Sequence, residues 1–527
     1  MHIFFESFLN QAKLSKKQSL WLFGGIFFVL AWGIFLRLYG LGASSYWIDE
    51  GFTYAQAKAI ATHGYPLLAS GIVEWKDPLV PYLNAPFALL GLEHNAAIMR
   101  LWNALFGIGS IIVGCMLARN LFSLRVALMY TIALSMGYWF VAWSQQLRGY
   151  SGLLFFLLLV FYFLERAVAD RSDRRYLWWA CGGVMFAIAS NKLGVVLFVP
   201  LVSVALALGA YGFLSAITLL IILLGGYFSS FVVHFFSESL HNYNSFYFGH
   251  LFGDSIVLIV LMICGFVFSL WKSPKQAFHL GVLYWALMVF IVLSTFVKTG
   301  EKRYIFMLFP LLFLYACYGI SVTSGIIAGI VERVLSLTRE SLARLEICVL
   351  VAVFGTFLFV ERAYFVFWPQ EEYLLEVYTP QPDFFGVYEA ITARGFDKGD
   401  TIISPFPWMD ELYLGRSGYS IPWSLTGKNG DTALVDEYDY YTQAPAIIPE
   451  IATDVDLTKA RLAIVALRTQ GEVYVVLDLL SRRRMSQDLR HFIESDKDAE
   501  MLFQSKTGLD EVAVYVFSQI RGEFIRQ

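Results

Sequence analysis

The stretch 151–164 reads Ser-Gly-Leu-Leu-Phe-Phe-Leu-Leu-Leu-Val-Phe-Tyr-Phe-Leu and contains no charged residue. A helix needs about 20 predominantly apolar residues to cross a bilayer, and about eleven segments of this chain are long enough. The predicted spans are 19–38, 97–117, 124–143, 151–167, 176–191, 193–210, 213–235, 254–271, 279–297, 304–329 and 346–362. In lipid, only helices and closed barrels satisfy their own backbone groups. The sequence therefore predicts a polytopic α-helical membrane protein.

The composition agrees with this class. Of the 527 residues, 57% are hydrophobic and 15% are charged, whereas a soluble protein carries about 25% charged residues. The net charge of −3 comes without a basic stripe or a nucleic-acid motif, so nucleic acid is excluded as a partner. The five cysteines lie in apolar runs without the spacing of metal ligands, which indicates buried thiols. No metal is indicated, and no cofactor is expected to be required.

The distribution of Lys and Arg predicts the topology. Cytoplasmic loops of membrane proteins are enriched in these residues, and the densest basic loop of the chain is 171–175. This bias puts the N-terminus in the cytoplasm. An odd number of spans then leaves two large regions outside the cytoplasm, the loop 40–96 and the tail 363–527.

The tail changes sharply toward charged residues, Pro and Gly. Its predicted strands are 401–404, 461–467 and 512–517, and 482–494 has helical amphipathicity. We therefore predict two domains, a transmembrane domain over 1–362 and an extracytoplasmic α/β domain over 363–527. The aromatic stretches 406–410 and 438–441 are candidates for sugar or acceptor contact, or they form the core of the tail.

The sharpest motif is Trp47-Ile-Asp49-Glu50, just after the first span. A carboxylate at the membrane surface, partly shielded from water, can act as general base on an acceptor hydroxyl. The same pair would also be stable without any catalytic role at the N-terminus of a helix, where the helix dipole favours negative charge. Spacing alone does not separate these interpretations.

Isolated cations recur on the predicted outer side, where positive charge is otherwise scarce. They are Lys76, Arg148, Lys192 and Arg303. Charged residues at membrane depth usually pair with another group, and several cations on one face would form an anion site for a phosphate. Alternatively, Arg148 extends to lipid headgroups, and the segment around Lys76 and Asp77 is a plain surface turn.

The order of these motifs resembles the C-type membrane glycosyltransferases, in the branch of the protein O-mannosyltransferases and lipid A aminoarabinose transferases. The resemblance covers about residues 1–360 and departs from the family pattern at Lys76-Asp-Pro-Leu79, where His-Pro-Pro-Leu is usual. The tail resembles no particular family domain. The matching motifs are Trp47–Thr53, Lys76–Tyr82, Arg100–Gly107, Ser144–Tyr150, Lys192 and Arg303–Tyr304.

The resemblance implies a glycosyltransferase that moves a hexose or pentose from a polyprenyl-phosphate lipid to an extracytoplasmic protein, lipid or glycan. Transfer would be direct, with inversion at the anomeric carbon, in the plasma membrane of a bacterium or archaeon. Asp49 would be the base, supported by Glu50. The donor phosphate would be held by Arg148, Lys192, Arg303, Tyr304 and Lys76. The sugar or acceptor would contact Trp47, Tyr150 and Asp77.

Other classes of function fit part of the sequence. A transporter or lipid flippase would also be polytopic with cations facing a cavity, but the chain has no related halves. A ligase that uses lipid-diphosphate donors would share the side of the membrane and the chemistry. A scaffold that displays the tail would make no use of the outward cations.

Overall fold

The structure is a computed structural model that describes residues 16–67, 73, 75, 77–223, 247, 249, 256–295, 302–335, 339–370, 383–404, 407–416, 419–420, 464–478, 487–495, 497–505 and 512–520. The helices are α1 (Lys16–Leu38), α2 (Ile48–His63), α3 (Leu79–Leu89), α4 (Ala96–Leu121), α5 (Leu124–Met136), α6 (Tyr138–Ser144), α7 (Tyr150–Ala169), α8 (Arg175–Ser190), α9 (Phe198–Ala207), α10 (Tyr211–Leu223), α11 (Ile256–Lys272), α12 (Gln276–Thr295), α13 (Lys302–Ile305), α14 (Phe309–Leu335), α15 (Arg339–Val360), α16 (Phe384–Arg394), α17 (Pro407–Leu414) and α18 (Gln487–Ser495). Short 3-10 helices occupy Lys192–Leu197, Phe306–Leu308 and Arg362–Tyr364. The strands are β1 (Thr401–Ser404), β2 (Tyr419–Ser420), β3 (Val473–Asp478), β4 (Ala499–Gln504) and β5 (Val512–Phe517).

These elements form two compact units. The helical unit contains the residues up to Tyr39, together with Asn103–Gln145 and Gly149–Gln370. The α/β unit contains Gly40–Trp102, Gln146–Arg148 and the described residues from 383 onward. The loop after the first span thus groups with the C-terminal residues. The domain boundary at 362/363 stays a prediction.

The predicted polytopic helical fold is confirmed. Four described helices are long and apolar enough to cross a membrane, and they lie at Ala96–Leu121, Tyr150–Ala169, Gln276–Thr295 and Arg303–Leu335. Six shorter apolar helices of 10–17 residues accompany them, at Gly24–Leu38, Leu79–Leu89, Leu124–Met136, Lys192–Ala207, Ile256–Lys272 and Leu345–Val360. The number of about eleven spans stays a prediction, because it rests on segment length alone.

Close backbone contact joins two helices of the helical unit. A Cβ atom on Gly265 of α11 would clash with the Tyr315 carbonyl oxygen of α14, and a Cβ atom on Gly319 of α14 would clash with the Leu261 carbonyl oxygen. Glycine at both positions lets the two backbones approach, which is the common way that membrane helices gain van der Waals contact.

One buried carboxylate of the helical unit is paired with a cation. The Glu165 side chain is fully buried in α7 and forms an ion pair with Lys275, which lies just before α12. The Asn120 side-chain amide of α4 donates a 3.1 Å hydrogen bond to the same carboxylate. An unpaired carboxylate would be costly at this depth, so the pair joins three segments of the chain at one point.

The α/β unit contains a mixed five-stranded sheet with the order β2-β1-β3-β5-β4. Strand β1 is parallel to β2 and β3, and β5 is antiparallel to β3 and β4. All six residues of β5 are buried. A strand covered on both faces requires a continuous apolar run, which explains the sequence Val-Ala-Val-Tyr-Val-Phe.

The two faces of this sheet belong to different hydrophobic clusters. Val473 and Val475 of β3 pack in one cluster, while Tyr474 and Val476 pack in the other, as the alternation of a strand requires. The second cluster also contains residues from the loop after the first span, from α4 and from the Ser144–Tyr150 motif. These are Tyr46, Tyr54, Ala57, Val80, Met99 and Leu147. The C-terminal residues therefore share this core with the loop that carries the Asp-Glu motif.

One predicted strand is wrong. Residues 464–467 of the predicted strand 461–467 form a helical turn. Ile464 and Leu467 are buried, whereas Val465 between them is 43% exposed, and burial three residues apart is helical spacing. Strands β2, β3 and β4 were not predicted, although the Val-Tyr-Val-Val-Leu run of β3 is richer in β-branched residues than 461–467. Strands β1 and β5 match their predicted segments, and helix α18 overlaps the predicted segment 482–494.

We predict that Gly319→Ala lowers the thermal unfolding midpoint of the purified protein. The added methyl group cannot fit against the α11 backbone, and overpacking typically costs about 1–3 kcal/mol. Gly325→Ala is the matched control on α14, because no atom lies within 4 Å of its would-be Cβ atom. The control should be neutral or stabilising, since Ala favours helix by about 1 kcal/mol over Gly. Equal midpoints for the two variants would contradict the α11–α14 contact.

Candidate active site

The predicted Asp-Glu motif forms the first turn of α2. Trp47 precedes the helix with an extended backbone, and Asp49 and Glu50 lie in the first turn. Negative charge is favoured there by the helix dipole. Adjacent residues of a helix diverge by about 100°, so the two carboxylates face different surroundings. The Asp49 side chain is 34% exposed, whereas that of Glu50 is 1% exposed.

Glu50 is held on all sides. Its carboxylate accepts hydrogen bonds from Nε and Nη2 of Arg100, at 2.9 and 2.8 Å. It also accepts from the backbone N–H groups of Trp47 and Leu147. A bidentate pair between an arginine and a carboxylate adds directional specificity to charge attraction. With its oxygens engaged in this way, Glu50 is placed to position its neighbour Asp49. The role of Glu50 in catalysis stays a prediction.

Arg100 uses the rest of its guanidinium to shape the chain before α2. Its Nη1 donates to the Leu41 carbonyl at 3.1 Å and to the Ser44 carbonyl at 3.2 Å, and its Nη2 donates to the Ser45 carbonyl at 2.9 Å. The guanidinium carbon also lies 5.2 Å from the centre of the Tyr46 ring. One buried arginine therefore fixes the backbone of the loop that leads to Asp49.

Arg148 brings the Ser144–Tyr150 motif to the same helix. Its Nη2 lies 3.3 Å from Oδ2 of Asp49, and its Nη1 donates to the Asp49 carbonyl at 3.2 Å and to the Thr53 hydroxyl at 3.4 Å. The preceding residue, Leu147, donates its N–H to Glu50. Two motifs about 100 residues apart in sequence thus meet at the N-terminus of α2, with a cation beside the half-exposed carboxylate.

Helix α17 of the C-terminal residues packs against α2. The Lys58 ammonium lies 3.1 Å from Oε1 of Glu411, and the Tyr46 N–H donates to the Tyr413 hydroxyl at 3.3 Å. The Tyr413 ring stacks on Tyr388 with 4.8 Å between the ring centres. Burial raises the pKa of Tyr413 to about 12, so this phenol is neutral at physiological pH. These contacts brace the helix that carries Asp49.

In the helical unit, the segments of two further motifs meet at Gly149 and Tyr150. A Cβ atom on Gly149 would clash with the Ser190 carbonyl, two residues before Lys192. The Tyr150 ring lies 6.4 Å from that of Phe306, three residues after Arg303. The segments that carry the predicted cations Lys192 and Arg303 therefore pack on one short stretch. Lys192 begins a 3-10 helix capped by the Asn191 side chain.

The other predicted residues have varied surroundings. Trp47 is 6% exposed. Asp77 has a positive φ of 50°, in the left-handed region that non-glycine residues rarely adopt. The guanidinium of Arg303 lies 5.7 Å from the ring centre of Tyr304. Lys76 lies outside the described residues.

The aromatic stretches of the tail were predicted as contacts or core. Asp410 is fully buried and accepts hydrogen bonds from Tyr388, at 2.6 Å, and from Ser404, at 2.7 Å. This end of the stretch 406–410 is core. Phe406 and the stretch 438–441 lie outside the described residues. Within the described part of the chain, no group of three or more His, Cys, Asp or Glu residues could hold a metal ion.

Solved structures resemble nearly the whole chain. ArnT from Cupriavidus metallidurans in the apo state has a TM-score of 0.60 and 15% identity, covering 94% of this chain and 98% of ArnT. The same protein bound to undecaprenyl phosphate has a TM-score of 0.57, with the same identity and coverage. The archaeal oligosaccharyltransferase AglB from Archaeoglobus fulgidus, in complex with an inhibitory peptide and a dolichol-phosphate, has a TM-score of 0.50 and 12% identity, covering 88% of this chain and 70% of AglB.

The chain has the fold of the C-type membrane glycosyltransferases. No protein-family model and no curated protein sequence matches it. At 12–15% identity, the likeness to the solved structures is one of fold. It confirms the resemblance that the order of motifs predicted. Within this C-type fold, sequence reasoning did not include Arg100 among the site residues. The sequence does indicate a role for Arg100, because a charged residue at the start of an apolar helix usually pairs with another group.

We predict that Glu50→Gln destabilises the protein by about 3–5 kcal/mol, because the change leaves the buried Arg100 charge uncompensated. Thermal unfolding would measure the loss, and hydrogen exchange should rise in the amides of 41–50. Glu411→Gln is the control, because Glu411 and Lys58 are about one-third exposed. Such a pair contributes less than about 1 kcal/mol. A wild-type midpoint for Glu50→Gln would contradict the role assigned to this pair.

Proposed function

We propose that this protein is a glycosyltransferase that moves a sugar from a polyprenyl-phosphate-linked donor to an extracytoplasmic acceptor. The observation that supports this function best is the Asp49 carboxylate. It lies partly exposed at the start of α2 beside Arg148, next to the buried Glu50 that pairs with Arg100. The C-type fold supports this function, because one solved structure of that fold is bound to undecaprenyl phosphate and another to a dolichol-phosphate.

Asp49 would act as the general base. A hydroxyl acceptor attacks well only while its proton is being removed, and a positioned carboxylate typically contributes about 10²- to 10⁴-fold. The proton passes to Asp49, and the acceptor oxygen bonds to the anomeric carbon. The bond from that carbon to the phosphate oxygen breaks, and polyprenyl phosphate leaves with the electron pair. Attack from the opposite face inverts the anomeric centre.

The leaving phosphate needs cations. We assign Arg148, Lys192 and Arg303 to it, with Tyr304 and Lys76 as further contacts. Preorganised charge at the developing anion lowers the barrier. Packing of the Lys192 and Arg303 segments on Gly149–Tyr150 supports this assignment. Arg148 would have two roles, because its contact with Asp49 also orients the base.

The remaining assignments are finer. Trp47, Tyr150 and Asp77 are proposed to contact the sugar or the acceptor, and the sugar is a hexose or pentose. We propose a cytoplasmic N-terminus and extracytoplasmic C-terminal residues, in the plasma membrane of a bacterium or archaeon. No observation favours a transporter or a scaffold. The proposed enzyme differs from a ligase in its donor, which is a lipid monophosphate and not a lipid diphosphate.

We predict that Asp49→Asn cuts sugar transfer by about 10²- to 10⁴-fold, because it keeps the shape of the side chain and removes its basicity. Protein in nanodiscs would be given a panel of radiolabelled polyprenyl-phosphate sugars and cell-envelope extract. Transfer is read as label that leaves the lipid phase.

Asp173→Asn is the matched control, because Asp173 pairs with Arg175 in a loop of the helical unit and is not among the proposed site residues. Both variants should keep the wild-type unfolding midpoint and the same donor affinity. Transfer at the wild-type rate by Asp49→Asn would remove Asp49 as the base. If Glu50→Gln also transferred at the wild-type rate, the proposed mechanism would be wrong.

A further inference from the structure

A cavity of about 740 Å³ lies within the α/β unit. Its walls come from 42–46, just before the Asp-Glu motif, from 91, 92 and 94–97, just before and at the start of α4, and from Phe385, Leu412 and Tyr413. Pockets for small molecules have volumes of about 300–1,000 Å³. The cavity thus has room for a ligand of one or two sugar rings, and the proposed function leaves it unused.

The lining of the cavity carries no fixed charge. Among its lining residues, all of them described, there is no Asp, Glu, Lys or Arg, and there is one histidine, His94. A phosphate or a metal ion needs charged or multiply coordinating groups. The cavity therefore favours a neutral ligand over the phosphate of a lipid donor.

The lining combines aromatic faces with small hydrogen-bonding groups. Phe385 of α16 is 57% exposed, and the Tyr413 ring is fixed by stacking on Tyr388. Ser45 and Asn95 add hydroxyl and amide groups. A saccharide ring has an apolar C–H face, which packs on aromatic rings, and a rim of hydroxyls, which hydrogen-bond to such groups. Apolar walls with a few polar groups are the usual make-up of a small-molecule site.

The cavity wall is connected to the catalytic motif. Arg100, which holds Glu50, also donates to the carbonyls of Ser44 and Ser45 in this wall. A ligand that packs on the wall would stabilise the loop that leads to Asp49. The cavity is therefore built into the same hydrogen-bonded structure as the proposed base.

We propose that this cavity binds a neutral saccharide and serves as a subsite for a carbohydrate acceptor, which rests on the proposed function for its role in transfer. An acyl chain has no groups that could hydrogen-bond to Ser44, Ser45 or Asn95 in the wall. A charged peptide would find no counter-charge in the lining. A neutral saccharide can pack its C–H face on the aromatic rings and hydrogen-bond its hydroxyls to the polar groups of the lining.

Saturation-transfer NMR on the full chain in nanodiscs, without donor, tests the binding. The probes are maltose, cellobiose, mannobiose and chitobiose, with an uncharged Ala-Ser-Ala peptide as comparator. Wild-type protein should give a saturable signal with at least one disaccharide. Phe385→Ala should weaken that binding by about tenfold, since an aromatic contact contributes up to about 1.5 kcal/mol. Ala43→Trp, which fills the cavity from its exposed rim, should abolish the signal.

Met501→Ala is the matched control, because Met501 of β4 is 52% exposed and does not line the cavity. It should bind like the wild type, and all variants should keep its unfolding midpoint. The proposal is overturned if no disaccharide gives a saturable signal, if Phe385→Ala and Ala43→Trp bind normally, or if the peptide binds and the sugars do not.

This binding experiment and the transfer assay with labelled donors together separate the subsite from the proposed function. Asp49→Asn should bind the disaccharide like the wild type, because Asp49 does not line the cavity. If the sugar binds but no polyprenyl-phosphate donor is used, the subsite stands and the transferase assignment falls. If donors are used but the disaccharides do not bind, the transferase assignment stands and the subsite falls.

Discussion

The position of Asp49 in the α/β unit depends on one interaction, the buried ion pair of Arg100 and Glu50. Both side chains are 1% exposed, and the arginine also ties down three carbonyls of the loop 41–45. Two charges taken out of water are stabilising only when their remaining donors and acceptors are satisfied. The loop 41–45 is fixed for this reason, because its carbonyls accept the remaining hydrogen bonds of Arg100. The geometry of the N-terminus of α2 is thus a consequence of charge burial.

This constraint gives the two adjacent carboxylates different roles. Glu50 is removed from solvent and accepts four hydrogen bonds, which leaves it rigid. Asp49 stays half-exposed, with Arg148 on one side and solvent access on the other. A general base must reach the proton that it takes, so it needs access, and it must be held within about 0.5 Å of its working position. Glu50 supplies that rigidity. Adjacent residues are rotated by about 100° around the helix axis, so Asp49 does not point into the buried site that holds Glu50.

Much of this arrangement follows from patterns that can be read in the chain. Apolar length predicts the helical unit, and the runs at 401–404 and 512–517 predict two strands of the sheet. The motifs at Asp49 and Arg148 were expected on one side, and they meet within the α/β unit. The role of Arg100 was not predicted, because the partner of a buried charge depends on tertiary contact. The helical turn at 464–467 was missed because a short apolar run has no clear period. The shared core of the sheet and the loop 40–102 rests on contacts between residues more than 300 positions apart, and periodicity carries no information about such contacts.

The proposed function requires this protein to bind a polyprenyl monophosphate. Native mass spectrometry of the protein, released from its own membrane in a mild detergent, tests it most directly. The account predicts a bound lipid with the mass of a polyprenyl phosphate. In Asp49→Asn it predicts the same lipid still carrying its sugar, because the donor binds and the proton is not removed. Recovery of bulk phospholipid alone, or of a polyprenyl diphosphate, would contradict the account.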